Sequence, residues 1–196
     1  MSIEFSAKTL DYLKRKNVDI VVTADQTFLK LLLAKEELLV PSGNRRVGAN
    51  VQGDDERKGV SLMLAAYVWK QRSSGILRSG LLPPFIVFNG KTGVTLDKRY
   101  KDWNRKPGHS GSTNFQKKHW FDGPITLRWI NWLESQFPPS ERIGLVWDQC
   151  PSHKASIVKN RLEQLDIKGR LFSVIIPGGL TSVLQLGVEC SELTNI

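Results

Sequence analysis

Cysteine is nearly missing from this 196-residue chain: there are two, Cys150 and Cys190, too few for a disulfide scaffold. Histidine is scarce as well, at three residues, and no His/Cys cluster shows zinc-ligand spacing. No apolar run approaches the roughly 20 residues that a membrane helix needs. The opening MSIEFSAKTLDYLKRK lacks the basic-then-apolar layout of a secretory signal. These absences argue against a disulfide-stapled secreted domain, a zinc module and a membrane span, and a reducing compartment fits best. Acid is the last shortage, with 19 Asp and Glu against 28 Lys and Arg and a formal net charge of +9.

What is present, 40% hydrophobic and 24% charged residues, suits a globular protein, and the length suits one domain over residues 1–196. The positive charge is concentrated. Residues 1–40 carry six basic residues against six acidic, and 121–196 carry seven against eight; the middle, 41–120, carries fifteen against five. Such a concentration is the footprint of a surface that meets phosphates. A solvated basic face that only maintains solubility is the alternative.

The pattern along the chain predicts a short helix over 11–16, then a strand VDIVVTAD (18–25) that delivers Asp25 at its end. Residues 26–40 read equally as helix or as turn and strand. Strands are expected around 45–51 and 59–69, with GDDERKG as a hairpin-like turn between them. KQRSSGILRSGLLPP reads as an interruption, PFIVFNGK (84–91) as a strand, and 92–118 as a long basic loop. A helix is predicted over 122–137, capped by Asp122, with Ile125, Trp129, Trp132 and Leu133 on its inner face. Further on come a strand RIGLVWD (142–148), a helix over 154–165, a strand LFSVII (171–176) and a last helix from about 181. An early meander followed by alternating elements implies an α/β fold, a mixed sheet with helices packed on it.

Two acids share one setting, for Asp25 closes VDIVVTAD and Asp148 closes RIGLVWD. In open α/β sheets, groups that leave the core at strand ends bind ligands. If the two strands are neighbours, two carboxylates converge, and like charges in contact call for a divalent cation with hard oxygen ligands, Mg²⁺ or Mn²⁺. The other reading is that both acids merely cap turns.

Four segments resemble the pogo/Jerky-type DDE transposase superfamily of endonucleases. TADQT (23–27) is similar to its first-acid motif, and WDQCPSHK (147–154) to its second, with Asp148 and His153 at the family's spacing. IPGGLTSVLQ (176–185) resembles the approach to the third acid, and LLPPFIVFNGK (81–91) the family's Leu-Pro-Pro strand. The matches keep the family's order over roughly residues 20–190. The resemblance implies an RNase H-like mixed β-sheet flanked by helices, with Asp25 on the first strand and Asp148 at the end of the fourth. It implies catalytic and metal-holding roles for both, with Mg²⁺ or Mn²⁺ as cofactor.

Departures from the family pattern shape the expectation. Gln26 stands where the family usually has Glu, and LQLGVECSE replaces Leu-Gln-Pro-Leu-Asp-Val. Counted without gaps, the third-acid position falls on Val188, and the adjacent Glu189 is the candidate third ligand. On a helix one step turns a side chain by about 100°. The chain is expected to be a single core that lacks the family's N-terminal DNA-binding modules and is trimmed at its C-terminus, a domesticated or truncated transposase core. The expected partner is DNA, held through its backbone by Arg45, Arg46, Lys101, Arg105, Lys117, Lys118 and His153, with no membrane and with room for a homodimer or a protein partner. His153 has an alternative role as a helix-start residue with a structural hydrogen bond. Trp103 and Trp120 lie beside basic residues and either stack on bases or pack back on the domain. The expected location is the nucleus. Two functions follow: Mg²⁺-dependent phosphodiester cleavage or strand transfer, or an inactive domesticated domain that serves as a nucleic-acid or protein interaction module.

Overall fold

The computed structural model describes residues 2–30, 59–90, 112–116 and 120–177. The elements run α1 (Ser2–Arg15), β1 (Ile20–Lys30), β2 (Gly59–Lys70), β3 (Leu77–Leu81), β4 (Phe85–Asn89), β5 (Ser112–Gln116), α2 (Gly123–Ser135), β6 (Ile143–Trp147), a 3₁₀ turn (Pro151–Lys154), α3 (Ser156–Ile167) and β7 (Leu171–Ile175). The strands form one mixed sheet in the order β5-β4-β2-β1-β6-β7, with β3 added to β2. β2 runs antiparallel to β1, β3 and β4, whereas β6 runs parallel to β1 and to β7, and β5 runs parallel to β4. This is the α/β architecture, a mixed sheet flanked by helices, that the order of elements in the sequence implies.

Alternation along β1 divides the core between the two faces of the sheet. Ile20, Val22 and Ala24 join Ile143, Leu145 and Trp147 of β6 under α2 and α3, where Ile125, Trp129, Ile130, Leu133, Val158 and Leu165 are buried with them. Trp129 stacks on Trp147 at 5.6 Å. On the opposite face Leu13 of α1 packs with Val146 and Ile176, supported by Phe5, Tyr12 and Val21. Packing on the sheet explains why α1 begins at Ser2 and not near residue 11, since short helices owe their stability to packing more than to propensity. Gly144 admits that approach: a Cβ there would sit 2.7 Å from Leu13 Cδ2 and 3.1 Å from Val18 Cγ1.

The Asp122 cap forms as predicted, its Oδ1 accepting from the Ile125 amide at 2.9 Å. The other end of α2 is closed by a residue distant in sequence. Arg170 is buried and donates to the carbonyls of Glu134, Phe137, Pro138 and Glu141, which satisfies carbonyls that a helix end leaves without partners.

Some expectations are corrected. Two strands occupy stretches that read as interruption and loop. β3 is exposed at all five positions, so it carries no alternation, and its place comes from pairing with β2 through a turn that includes Gly75 at φ 68°. β5 buries Phe115 alone. β1 does not end at Asp25 but continues to Lys30, because β2 pairs with it along its full length. The helix expected over 154–165 is divided into the 3₁₀ turn and α3. The strand expected around 45–51, the GDDERKG turn and the helix from 181 lie outside the described residues. Among the described residues, no helix is long and apolar enough to cross a membrane.

Candidate active site

The parallel ladder between β1 and β6 ends at the pair Ala24↔Trp147. The next residue on each strand's path is an acid, Asp25 and Asp148. β6 is buried at all five positions, so Asp148 is the point at which that strand leaves the core. Asp25 follows the parity of Val21 and Thr23 and lies opposite Leu64 of β2. Two strands that meet only through tertiary pairing thus bring both carboxylates to the carboxyl end of the parallel ladder, the edge at which α/β sheets bind ligands.

The electrostatics fit a close pair. Burial pushes the Asp148 carboxyl above its ordinary value, His153 partly offsets this, and the negative charge of Asp25 adds to the rise. Asp148 Oδ1 is buried with no hydrogen-bond partner. His153 Nδ1 lies 3.5 Å from that oxygen. A buried carboxylate oxygen left without a hydrogen bond, beside a second carboxylate, is costly and is the donor arrangement that a hard divalent cation satisfies.

His153 is turned inward. Its side chain is 1% exposed and its ring stacks on Trp147 at a centroid distance of 3.8 Å, which extends the Trp129–Trp147 stack to three rings. Nδ1 lies 2.9 Å from the Asp148 carbonyl oxygen, so this nitrogen carries the proton and donates it, and Nε2 is left as a buried lone pair without a partner. Burial pushes the imidazole below its ordinary value, which favours the neutral ring. The structural hydrogen bond that is the alternative reading of His153 is observed, and its ring is buried rather than presented at the surface.

Of the remaining site candidates, Glu189, Arg45, Arg46, Lys101, Arg105, Lys117 and Lys118 lie outside the described residues, as does Trp103. Trp120 is 63% exposed, and Trp129 is fully buried, as the helical spacing predicts. Among the described residues, no group of three His, Cys, Asp or Glu side chains is placed to hold a metal ion; the acid pair supplies two. Gln26, a mere substitution at the level of sequence, has a buried Oε1 that also lacks a hydrogen-bond partner. No local pattern marks such an atom.

No family model matches the chain, and no curated protein matches it. Among solved structures the chain is similar to Mos1 transposase complexes. A paired-end complex with the left transposon end has 19% identity and a TM-score of 0.38, covering 94% of this chain and 44% of that one. The Mos1 strand transfer complex has 17% identity and a TM-score of 0.34, covering 88% and 38%. A Mos1 mariner paired-end complex with Mn has 19% identity and a TM-score of 0.26, covering 88% and 39%. The chain spans less than half the length of each.

Proposed function

We propose that this chain is a DDE-type core that performs divalent-metal-dependent phosphodiester cleavage or strand transfer on DNA, with Asp25 and Asp148 as metal-holding carboxylates and Glu189 as the third. The observation that carries the reading is the register: Ala24 pairs with Trp147, and an aspartate follows on each strand. The unpartnered Oδ1 of Asp148, the ordered motifs and the basic middle of the sequence support it.

Bound Mg²⁺ or Mn²⁺ would supply Lewis-acid polarisation of a phosphodiester and a more acidic attacking water or hydroxyl. The protein's own contribution is position. β1 and β6 fix two oxygen donors on a rigid sheet, and the Nδ1–H of His153 holds the Asp148 carbonyl from behind. The buried Trp129–Trp147–His153 stack limits the movement of that strand end. The basic segment 41–120 attracts the polyanion.

A second reading, an inactive domain that retains nucleic-acid binding, is favoured by one observation: Val188 occupies the gap-free position of the third acid. Nicking of supercoiled plasmid with and without Mg²⁺ or Mn²⁺ separates the two. The catalytic reading expects metal-dependent nicking that Asp25→Asn, Asp148→Asn and Glu189→Ala each abolish while duplex binding persists. If nicking survives Asp148→Ala, the DDE reading fails. If the natural protein does not nick and Val188→Asp creates nicking, the inactive reading holds.

A further inference from the structure

A second constellation lies at the opposite end of the sheet. The last turn of α1, the start of β1, the residue before β6 and the turn after β2 enclose an open cleft of about 510 Å³ lined by Lys14, Asn17, Val18, Asp19, Arg72 and Arg142. Its charges are three cations and one carboxylate, and both oxygens of the carboxylate are engaged. Asp19 Oδ1 accepts from Arg72 Nε at 2.6 Å and Oδ2 from the Arg142 amide at 2.7 Å. Asp19 therefore anchors the cleft, with each oxygen accepting from one of its two arginines.

The cations keep donors in reserve. Arg72 places a second N–H on the Asn17 carbonyl at 3.3 Å, and Arg142 places one on the Lys16 carbonyl at 3.1 Å. A guanidinium carries five N–H donors, so closing the end of α1 uses fewer than half of either set. Lys14 forms no ion pair among the described residues. Its neighbours do, Arg15 with Asp11 and Lys16 with Asp166. Two guanidinium forks and one ammonium around a concave surface, in excess over one carboxylate already paired with Arg72, are the donors that a phosphate oxyanion takes up.

We infer that the Lys14–Arg72–Arg142 cleft binds a phosphate oxyanion, supplied by a nucleic-acid backbone, at a site separate from the acid pair. Asp19 and Asp25 are six residues apart along β1 and its approach, which at about 3.3 Å per residue puts the cleft about 20 Å from the acid pair. A phosphate held there is not the one attacked at the acids; it fixes where the nucleic acid crosses the domain. The inference does not require the acid pair to perform chemistry.

The test uses the full chain with Lys14→Gln, Arg72→Gln and their double variant, and circular dichroism melting confirms the fold. Binding of a short labelled DNA duplex is measured against salt, and thermal shift is measured with inorganic phosphate. The expected result is severalfold weaker duplex binding in each variant, with the slope of log affinity against log salt shallower by about one for each phosphate no longer held. A thermal shift with phosphate that the variants lack, with duplex binding unchanged, would keep the anion site and overturn its assignment to a backbone in favour of a small phosphate ligand. Unchanged duplex binding, unchanged salt slope and no phosphate-dependent shift would overturn the inference entirely.

Discussion

Removing one charge from the acid pair should stabilise the metal-free protein. Adjacent strands lie about 4.8 Å apart, so carboxylates at neighbouring register positions are about 5 Å apart. At that separation two unit charges repel by about 3 kcal/mol at an effective dielectric near 20 and by about 0.8 kcal/mol in bulk water. The Asp148 side chain is 26% exposed and Asp25 is half-buried, which puts the repulsion near the lower figure, about 1 kcal/mol. Asp148→Asn should therefore raise the melting temperature by about 2–4 °C at neutral pH without metal. The gain depends on pH. The Asp148 carboxyl has a raised value in the folded state, so its contribution to stability is full below the unfolded value of 3.8 and is lost as pH rises through the folded value. The advantage of Asp148→Asn should appear above that window and vanish below it. Calorimetry of Asp25→Asn, Asp148→Asn and the double variant gives the coupling: the single effects should fail to add, by about 1 kcal/mol. Saturating Mg²⁺ should reverse the order, stabilising the wild type alone. A metal-free Asp148→Asn protein that melts below the wild type at neutral pH, or single effects that add, would refute the argument.

Three further outcomes are expected. Arg170→Ala should lower stability by about 3 kcal/mol in denaturant unfolding, because it removes a buried charged donor from the Glu134 carbonyl of α2 and three carbonyls of the connection that follows it. Gly144→Ala should cost about 1–2 kcal/mol through overpacking against Leu13 and Val18, and Leu13→Ala in the same chain should relieve part of the clash while giving up its own burial. Lowering pH through and below 6.5 should destabilise the wild type, because the lowered His153 value means that its stabilising, neutral form is fully favoured above the unfolded value and its contribution is lost as pH falls through the folded one. His153→Phe, which can retain the stack on Trp147, should lack that acid-sensitive component in melts compared at neutral and mildly acidic pH.

The elements legible in the sequence are those with a strong burial pattern. IGLVW is apolar at every position and is buried at every position, and the spacing of Ile125, Trp129 and Leu133 marks the inner face of α2. The paired acids are legible because each follows such a run. β3 is not, because none of its residues is buried and its existence depends on hydrogen bonds to β2. β1 reads short for a similar reason, since the ladder beyond Asp25 comes from β2 and not from composition. His153 illustrates the limit of spacing, which places a residue near a strand end while packing against Trp147 decides which way its ring faces. The Lys14–Arg72–Arg142 cleft has no sequence signal at all: its residues come from the end of α1 and two separate connections that only the sheet brings together.

The pairing of β1 with β6 also has a consequence for the order in which the molecule is made. β2 and β4 follow β1 in the first half of the chain and can zip onto it and each other, while the far edge of β1 stays open until Ile143 and its successors arrive to meet Ile20. Contacts so distant in sequence require loop-closure entropy before any packing is gained, and form late. An emerging or clipped chain that ends before β6 would carry the basic segment but no second carboxylate, with an unpaired strand edge open to other chains. The charge repulsion between Asp25 and Asp148 enters at the same late stage. Neutralising either acid should then slow unfolding and leave the folding rate nearly unchanged. A metal ion held by the two acids would act in the same place, as a latch on the last strand to dock, so the acid pair exists only when the sheet is complete.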